Sequence, residues 1–411
     1  MTEAHWDIIV AGHICLDITP RFGSTAAKSF GELLVPGKLV NVGACVVSTG
    51  GPVSNTGLAL VKLGARTLLM GKVGDDAFGR SVVEKMREFG AHEGIITVPG
   101  EQTSYTIVVA PPGVDRVFLH NPGANDTFRA ADIPYERLER VRLFHFGYPP
   151  LMRGMYVDGG RELIEILRRA RERGVTVSLD MSLPDPESES GAVDWKAVLA
   201  EALPYVDLFV PSAEEVLFAL ERKRFMELRA EARSKGVDTL HLLSPDDYSG
   251  LAGQLLSYGA AVALLKSGSR GIYLRSGSAE RLAKIGRAGV ADTANWAERE
   301  LWEPPFAVDK VVSATGAGDS AIAGFLASFL RRETVEDALR YATAAGAQNV
   351  VVPDAVSGIQ GFPETRKRIQ KGWPKAALKL EGQGESGWRL DASRSVWVGP
   401  NDRGRASAPA R

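Results

Sequence analysis

The chain has 411 residues, 45% hydrophobic and 24% charged, enough for one large α/β domain or two smaller ones. Its 49 basic and 50 acidic residues leave a net charge of −1, so nothing draws it overall to nucleic acid or to an anionic membrane. Two cysteines, Cys15 and Cys45, exclude a disulfide framework and a thiolate zinc site, and suit a reducing cytoplasm. The opening Met1–Asp7 is polar and acidic rather than signal-like, and no apolar run approaches the roughly 20 residues of a membrane helix.

Ile8 to Ala11 reads as a buried strand ending at Gly12, and the next residues stay extended to place Asp17 just past it. A carboxylate there suits hydroxyl binding or, more simply, a solvated turn. Residues 20–49 read as loops and short strands outside a main sheet. Gly50-Gly51 then opens a helical pattern from Thr56 to Leu63, with Asn55 in or near its first turn as a cleft-facing amide or a helix cap. Leu68 to Val73 is a strand and the following helix runs to Phe89. Residues 104–110 and 117–120 alternate about a Pro-Pro-Gly turn as a hairpin, followed by Gly123-Ala124-Asn125.

From residue 141 onward strands alternate with helices, the pattern of a parallel sheet covered on both faces. Ligands in such sheets lie at the carboxyl ends of the strands. Asp17, Asp180, Ser212, Lys266 and the Gly316 turn are all expected at that edge. Residues 221–236 read as a solvated helix face. Residues 287–306, with Trp296 and Trp302, lack periodicity and read as an insertion. Beyond Gly372, glycines break short pieces around Trp388 and Trp397, and Arg403–Arg411 reads as disordered.

The most informative stretch is Val311 to Leu330. A turn, Thr315-Gly316-Ala317-Gly318-Asp319, opens into a helix whose apolar face is Ile322, Phe325, Leu326 and Phe329. A bare turn leading into a helix N-terminus is an anion site. Asp319 is either a helix cap or a base that takes a proton from a hydroxyl attacking a phosphoryl group.

Gly316-Ala317-Gly318-Asp319 with Ala323-Gly324, Gly50-Gly51 with Asn55, and Val73-Gly74-Asp75-Asp76 with Phe78-Gly79 form an ordered set. With Gly123-Ala124-Asn125 and Lys266-Ser267-Gly268-Ser269-Arg270-Gly271, they make the chain resemble the ribokinase-like sugar kinases, or phosphofructokinase-B family, over about residues 6–370. The resemblance implies a three-layer α/β/α domain over residues 1–372 with a small β-sheet lid from about 13–49 and 101–125, and a C-terminal extension at 373–411. It implies an ATP-dependent kinase with Mg²⁺. Asp319 would be the base, and the N–H groups of Gly316, Ala317 and Gly318 the anion hole. Asp17, Gly50, Gly51, Asn55 and Asn125 would hold the sugar. Ser212, Lys266, Gly268, Gly271 and Thr343 would line the nucleotide, and Glu215 would organise Mg²⁺ through water.

Ser212 and Thr343 stand where the family often has Asn. Ser313 or Ala314 stands where an Asp is common, so a monovalent cation (K⁺) stays open. With no arginine fork evident in the sugar half, the acceptor is expected to be a small unphosphorylated sugar; Lys38, Arg116 and Arg129 read as solvated lid residues. A nucleoside is the alternative, with Phe22, Phe30 and Phe118 as candidates for a base slot. A non-catalytic sugar-binding protein is a third. A homodimer through the lid is admitted.

Overall fold

A computed structural model describes residues 6–23, 29–114, 116–378, 380 and 387–404. Its strands are β1 (Trp6–Gly12), β2 (Cys15–Pro20), β3 (Cys45–Gly50), β4 (Thr67–Gly74), β5 (Ile95–Val98), β6 (Tyr105–Val109), β7 (Val117–Asn121) and β8 (Val141–Gly147). They continue with β9 (Thr176–Leu179), β10 (Leu208–Phe209), β11 (Val262–Lys266), β12 (Ile272–Ser276), β13 (Glu300–Glu303), β14 (Arg389–Asp391) and β15 (Val396–Val398).

One sheet has the order β14-β15-β13-β12-β11-β10-β9-β8-β1-β4-β5. It is parallel from β5 to β11 and antiparallel from there outward. Strands buried on both faces need apolar residues at every position, and their alternate side chains go to opposite layers. Ile9, Ala11, Phe144 and Phe146 join one core, with helices Arg161–Glu172, Trp195–Ala202 and Ala213–Leu220. Ile8, Val10 and Leu143 join the other, with helices Pro52–Lys62, Ala317–Leu330 and Val335–Asn349. The domain is thus a three-layer α/β/α sandwich.

A second sheet, β3-β2-β6-β7, has two chemically different faces. In register across its strands, Ser48, Asp17, Thr106 and His120 form one polar row. The next row, Val47, Ile18, Ile107 and Leu119, is wholly apolar and points the other way.

Three expectations need correction. Asp17 lies inside β2 of the second sheet rather than past a strand of the main one. Residues 287–306 are not an insertion, because β13 pairs antiparallel with β12 there; a four-residue strand is too short to show a period. The chain beyond 372 also returns to the main sheet: β15 pairs with β13 and β14 closes the edge. Trp388 packs on Tyr273 and Trp302, with ring centroids 6.1 and 5.9 Å away, and so covers this edge instead of the second sheet. Of the stretch expected to be disordered, residues 405–411 lie outside the described residues. Among the described residues no helix is long and apolar enough to cross a membrane.

Candidate active site

The helix Ala317–Leu330 starts at Gly316, whose φ is +75°; a Cβ there would also collide with Ala355, so only glycine fits. The helix is apolar nearly throughout, yet its first turn carries the buried Asp319. Three donors hold that carboxylate. Asn55 Nδ2 donates to Oδ2 at 3.0 Å, the Tyr148 hydroxyl donates to Oδ1 at 2.9 Å, and Thr56 Oγ1 lies 3.4 Å from Oδ1. Burial pushes the Asp319 carboxyl above its ordinary value against Asn55, Lys266, Tyr148 and Thr56, which favour the charged form. A desolvated carboxylate held by fixed donors is suited to receive a proton.

The polar row of the second sheet brings Asp17 toward Asp319. Burial raises the Asp17 carboxyl, and the charge on Asp319 adds to the shift. Gly50 lies against the Asp17 carboxylate, with no room for a Cβ. Gly51, at φ +83°, does the same against the His13 ring and its carbonyl. His13 is buried with neither ring nitrogen hydrogen-bonded, and its ring stands 5.3 Å from His120 and 6.3 Å from Tyr148.

At the carboxyl ends of β9, β10 and β11 stand Asp180, Ser212 and Lys266, as the strand pattern predicts. Lys266 Nζ reaches Asp180 Oδ1 at 2.6 Å and runs beside Gly318. Burial opposes the Lys266 charge, but Asp180 and Glu215 outweigh it and raise its pKa. Asp180 itself is driven well above the ordinary range by burial, with Glu215 and Asp319 adding to that, and its Oδ2 has no hydrogen-bond partner. Asp180, Glu215 and Asp319 therefore face one lysine, with Asp17 beside Asp319, and this surplus of carboxyl groups suits a divalent cation. Among the described residues no three His, Cys, Asp or Glu side chains are grouped so as to hold a metal ion.

Several expected ligand contacts are used internally. The Asn125 amide is tied at both ends to Ile14, accepting from its N–H at 3.2 Å and donating to its carbonyl at 2.9 Å, which fixes the stem of β2. Ser212 and Glu215 form a reciprocal helix cap, Ser212 N–H donating to Glu215 Oε2 at 2.7 Å. Thr343 accepts from Lys375 Nζ at 3.1 Å, and the same ammonium meets Glu303 at 2.6 Å. Gly268 opens the single turn Gly268–Arg270, and Gly271 is small because the Glu303 carbonyl lies against it. The Ala317 N–H is directed to the Ala314 carbonyl at 3.3 Å.

Arg116 is not simply solvated. It reaches from the second sheet to Thr315 Oγ1 at 2.8 Å, with its guanidinium 5.4 Å from the Phe118 ring. Sequence reasoning missed Thr56 and Tyr148. Thr56 was hidden in a helical pattern. Tyr148 had one signal, its place between the glycine that ends a central strand and two prolines.

The family model for pfkB family carbohydrate kinases matches residues 14–360. An uncharacterized sugar kinase of Archaeoglobus fulgidus is 24% identical over 303 residues, 74% of this chain and 98% of that one. An ATP-dependent ribose-1-phosphate kinase of Halopiger xanaduensis is 26% identical over 341 residues, 83% and 90% of the two chains. The structure of an Arabidopsis thaliana ribokinase complexed with ribose and ATP superposes with a TM-score of 0.64 at 19% identity, covering 88% of this chain and 98% of that one. With the matched model spanning most of its length and the ribokinase fold in place around Asp319, the chain belongs to the pfkB family of carbohydrate kinases.

Proposed function

We propose that the protein transfers the γ-phosphoryl group of ATP to a hydroxyl of a small unphosphorylated sugar, with Asp319 as general base. The observation that carries this reading is the buried Asp319 carboxylate, held by Asn55, Thr56 and Tyr148 at the mouth of the glycine turn and faced by Asp17. Asp17 and the Gly50-Gly51 backbone orient the sugar. The Gly316 and Gly318 N–H groups and the helix dipole meet the charge developing on the phosphoryl group, with Arg116 closing over Thr315. Ala317 joins them only by giving up the Ala314 carbonyl. Lys266 and the turn to Gly271 lie along the nucleotide. Asp180 and Glu215 would hold Mg²⁺ through water, and the ion would supply charge neutralisation between phosphates. The second sheet serves as a lid that keeps water from the phosphoryl group. The compartment is taken as cytoplasmic, in keeping with the free thiols of Cys15 and Cys45.

An unphosphorylated acceptor is favoured because the cations expected nearest the sugar are engaged elsewhere. Of the nearest basic candidates in sequence, Arg129 donates to the Asp126 and Phe128 carbonyls and Arg116 to Thr315 Oγ1 at the glycine turn, and from a more distant segment Arg153 is paired with Glu189 at 2.7 Å. A nucleoside is the second reading, favoured by the row of His13, His120 and Tyr148 rings rather than by Phe22, Phe30 or Phe118. The test is kcat/KM with Mg-ATP across free hexoses and pentoses, ribose 1-phosphate and other sugar phosphates, and nucleosides. A free sugar is expected to lead. A sugar phosphate ahead of every free sugar and nucleoside by about tenfold, roughly 1.4 kcal/mol of discrimination, refutes this choice of acceptor.

The outward apolar row of the lid supports a homodimer, since Val47 and Leu119 remain 47% and 54% exposed on it. Sedimentation at micromolar concentration is expected to give twice the 44.2 kDa chain mass, and a monomer rejects the dimer.

A further inference from the structure

We propose that Tyr148 is a positioning residue for phosphoryl transfer, its hydroxyl fixing the Asp319 carboxylate with Oδ2 turned to the acceptor hydroxyl. The inference rests on the reading of Asp319 as the base. Tyr148 follows β8 directly and has φ +64° and ψ +46°, the left-handed region that a bulky non-glycine residue seldom adopts. Such strain survives only where neighbours over-determine it, and it gathers at functional sites. Here β8 is locked to β1 through the pair Gly147 and Gly12, the Leu151 N–H closes on the Tyr148 carbonyl at 3.0 Å, and Pro149-Pro150 stiffens the exit. The ring is set beside His13, and the hydroxyl ends 2.9 Å from Asp319 Oδ1.

The carboxylate has about four acceptor sites. Tyr148 takes one of those on Oδ1, the Thr56 hydroxyl lies 3.4 Å from both Oδ1 and the Asp319 carbonyl and shares its one proton between them, and Asn55 takes one of Oδ2. One site on Oδ2 remains for the substrate hydroxyl. Burial, with Asp319, Asp180 and Glu215 adding to it, pushes the Tyr148 phenol well above its ordinary value, so it stays protonated and always donates. That donation favours ionised Asp319, as Lys266 does, while burial opposes it. Asp17, Asp180 and Glu215 are the other charges facing this carboxylate.

Tyr148→Phe keeps the ring and removes the donor. Loss of one hydrogen bond to a charged group is expected to move the acid limb of kcat/KM up by about one pH unit. The kcat at neutral pH is expected to fall about tenfold, with sugar KM within about threefold of wild type, because the bond acts on the reacting base rather than on substrate binding. Placing 3-fluorotyrosine at 148, a stronger donor, moves the limb the other way; this arm decides the matter if Tyr148→Phe fails to fold. An unmoved limb with either replacement overturns the inference while leaving the base in place, provided Asp319→Asn is inactive. If Asp319→Asn remains active, the assignment of the base falls and the inference with it.

Discussion

Asp319→Asn is expected to lower kcat by about 10² to 10⁴ with little change in sugar binding. The substitution keeps the shape of the side chain, so the helix Ala317–Leu330 and its glycine turn stay as they are. It replaces with an NH₂ one of the two oxygens on which Asn55, Thr56 and Tyr148 converge. An amide in that place accepts no proton from the sugar hydroxyl and sets an NH₂ against either Asn55 or Tyr148. It also withdraws a negative charge from the group formed with Asp17, Asp180 and Glu215, so nucleotide binding is expected to hold or tighten slightly. Steady-state kinetics with saturating Mg-ATP check this. A kcat within a few-fold of wild type would contradict the role of Asp319 whatever the KM.

The second large effect concerns stability. A chain ending at residue 386 is expected to be unfolded or aggregated, although it keeps the whole stretch matched by the family model. Three losses coincide. Trp388 leaves the cluster with Tyr273 and Trp302, a change of the kind that costs about 3–5 kcal/mol for a buried Trp. The edge of β13 loses β15, including the Trp302–Trp397 register pair. The buried Arg299 loses Asp402 at 2.9 Å, and Glu336 loses Arg394 at 3.2 Å. Arg299 and Glu336 keep each other at 3.0 Å, so this third loss is smaller than that of an uncompensated buried charge. Domains are stable by only about 5–15 kcal/mol in all, so these losses consume the margin. Thermal unfolding followed by circular dichroism checks the expectation. A cooperative melt within a few degrees of the full chain would show that the tail is an appendage.

The contrast between these two sites explains what the sequence makes legible. Gly316-Ala317-Gly318-Asp319 is read directly because turn, helix start and carboxylate are contiguous. The central strands are read as easily, since Ile8 to Val10 are apolar at every position and Leu143 to Phe146 at all but His145, and such strands must be covered on both faces. β13 and β15 have four and three residues, too few for a period, and their apolar side chains gain meaning only when paired with each other. Asn125, Ser212 and Thr343 are the right kinds of residue for ligand contacts. Asn125 and Thr343 meet Ile14 and Lys375 through tertiary contacts that no local pattern announces, whereas Ser212 is tied to Glu215 by a local Ser-x-x-Glu cap. Tyr148 escapes notice for a related reason. Its value lies in a left-handed backbone at the end of β8 that aims it at a residue 171 positions away.

Phosphoryl transfer from ATP to the hydroxyl of a free sugar is tested most directly by identifying the product. The purified protein is incubated with Mg-ATP and each free hexose or pentose in turn, and ADP and phosphate esters are followed by ³¹P NMR. A sugar phosphate monoester forming in equal amount with ADP, absent with Asp319→Asn, is the predicted result. ADP matched only by inorganic phosphate, or ester formation undiminished in Asp319→Asn, would contradict it.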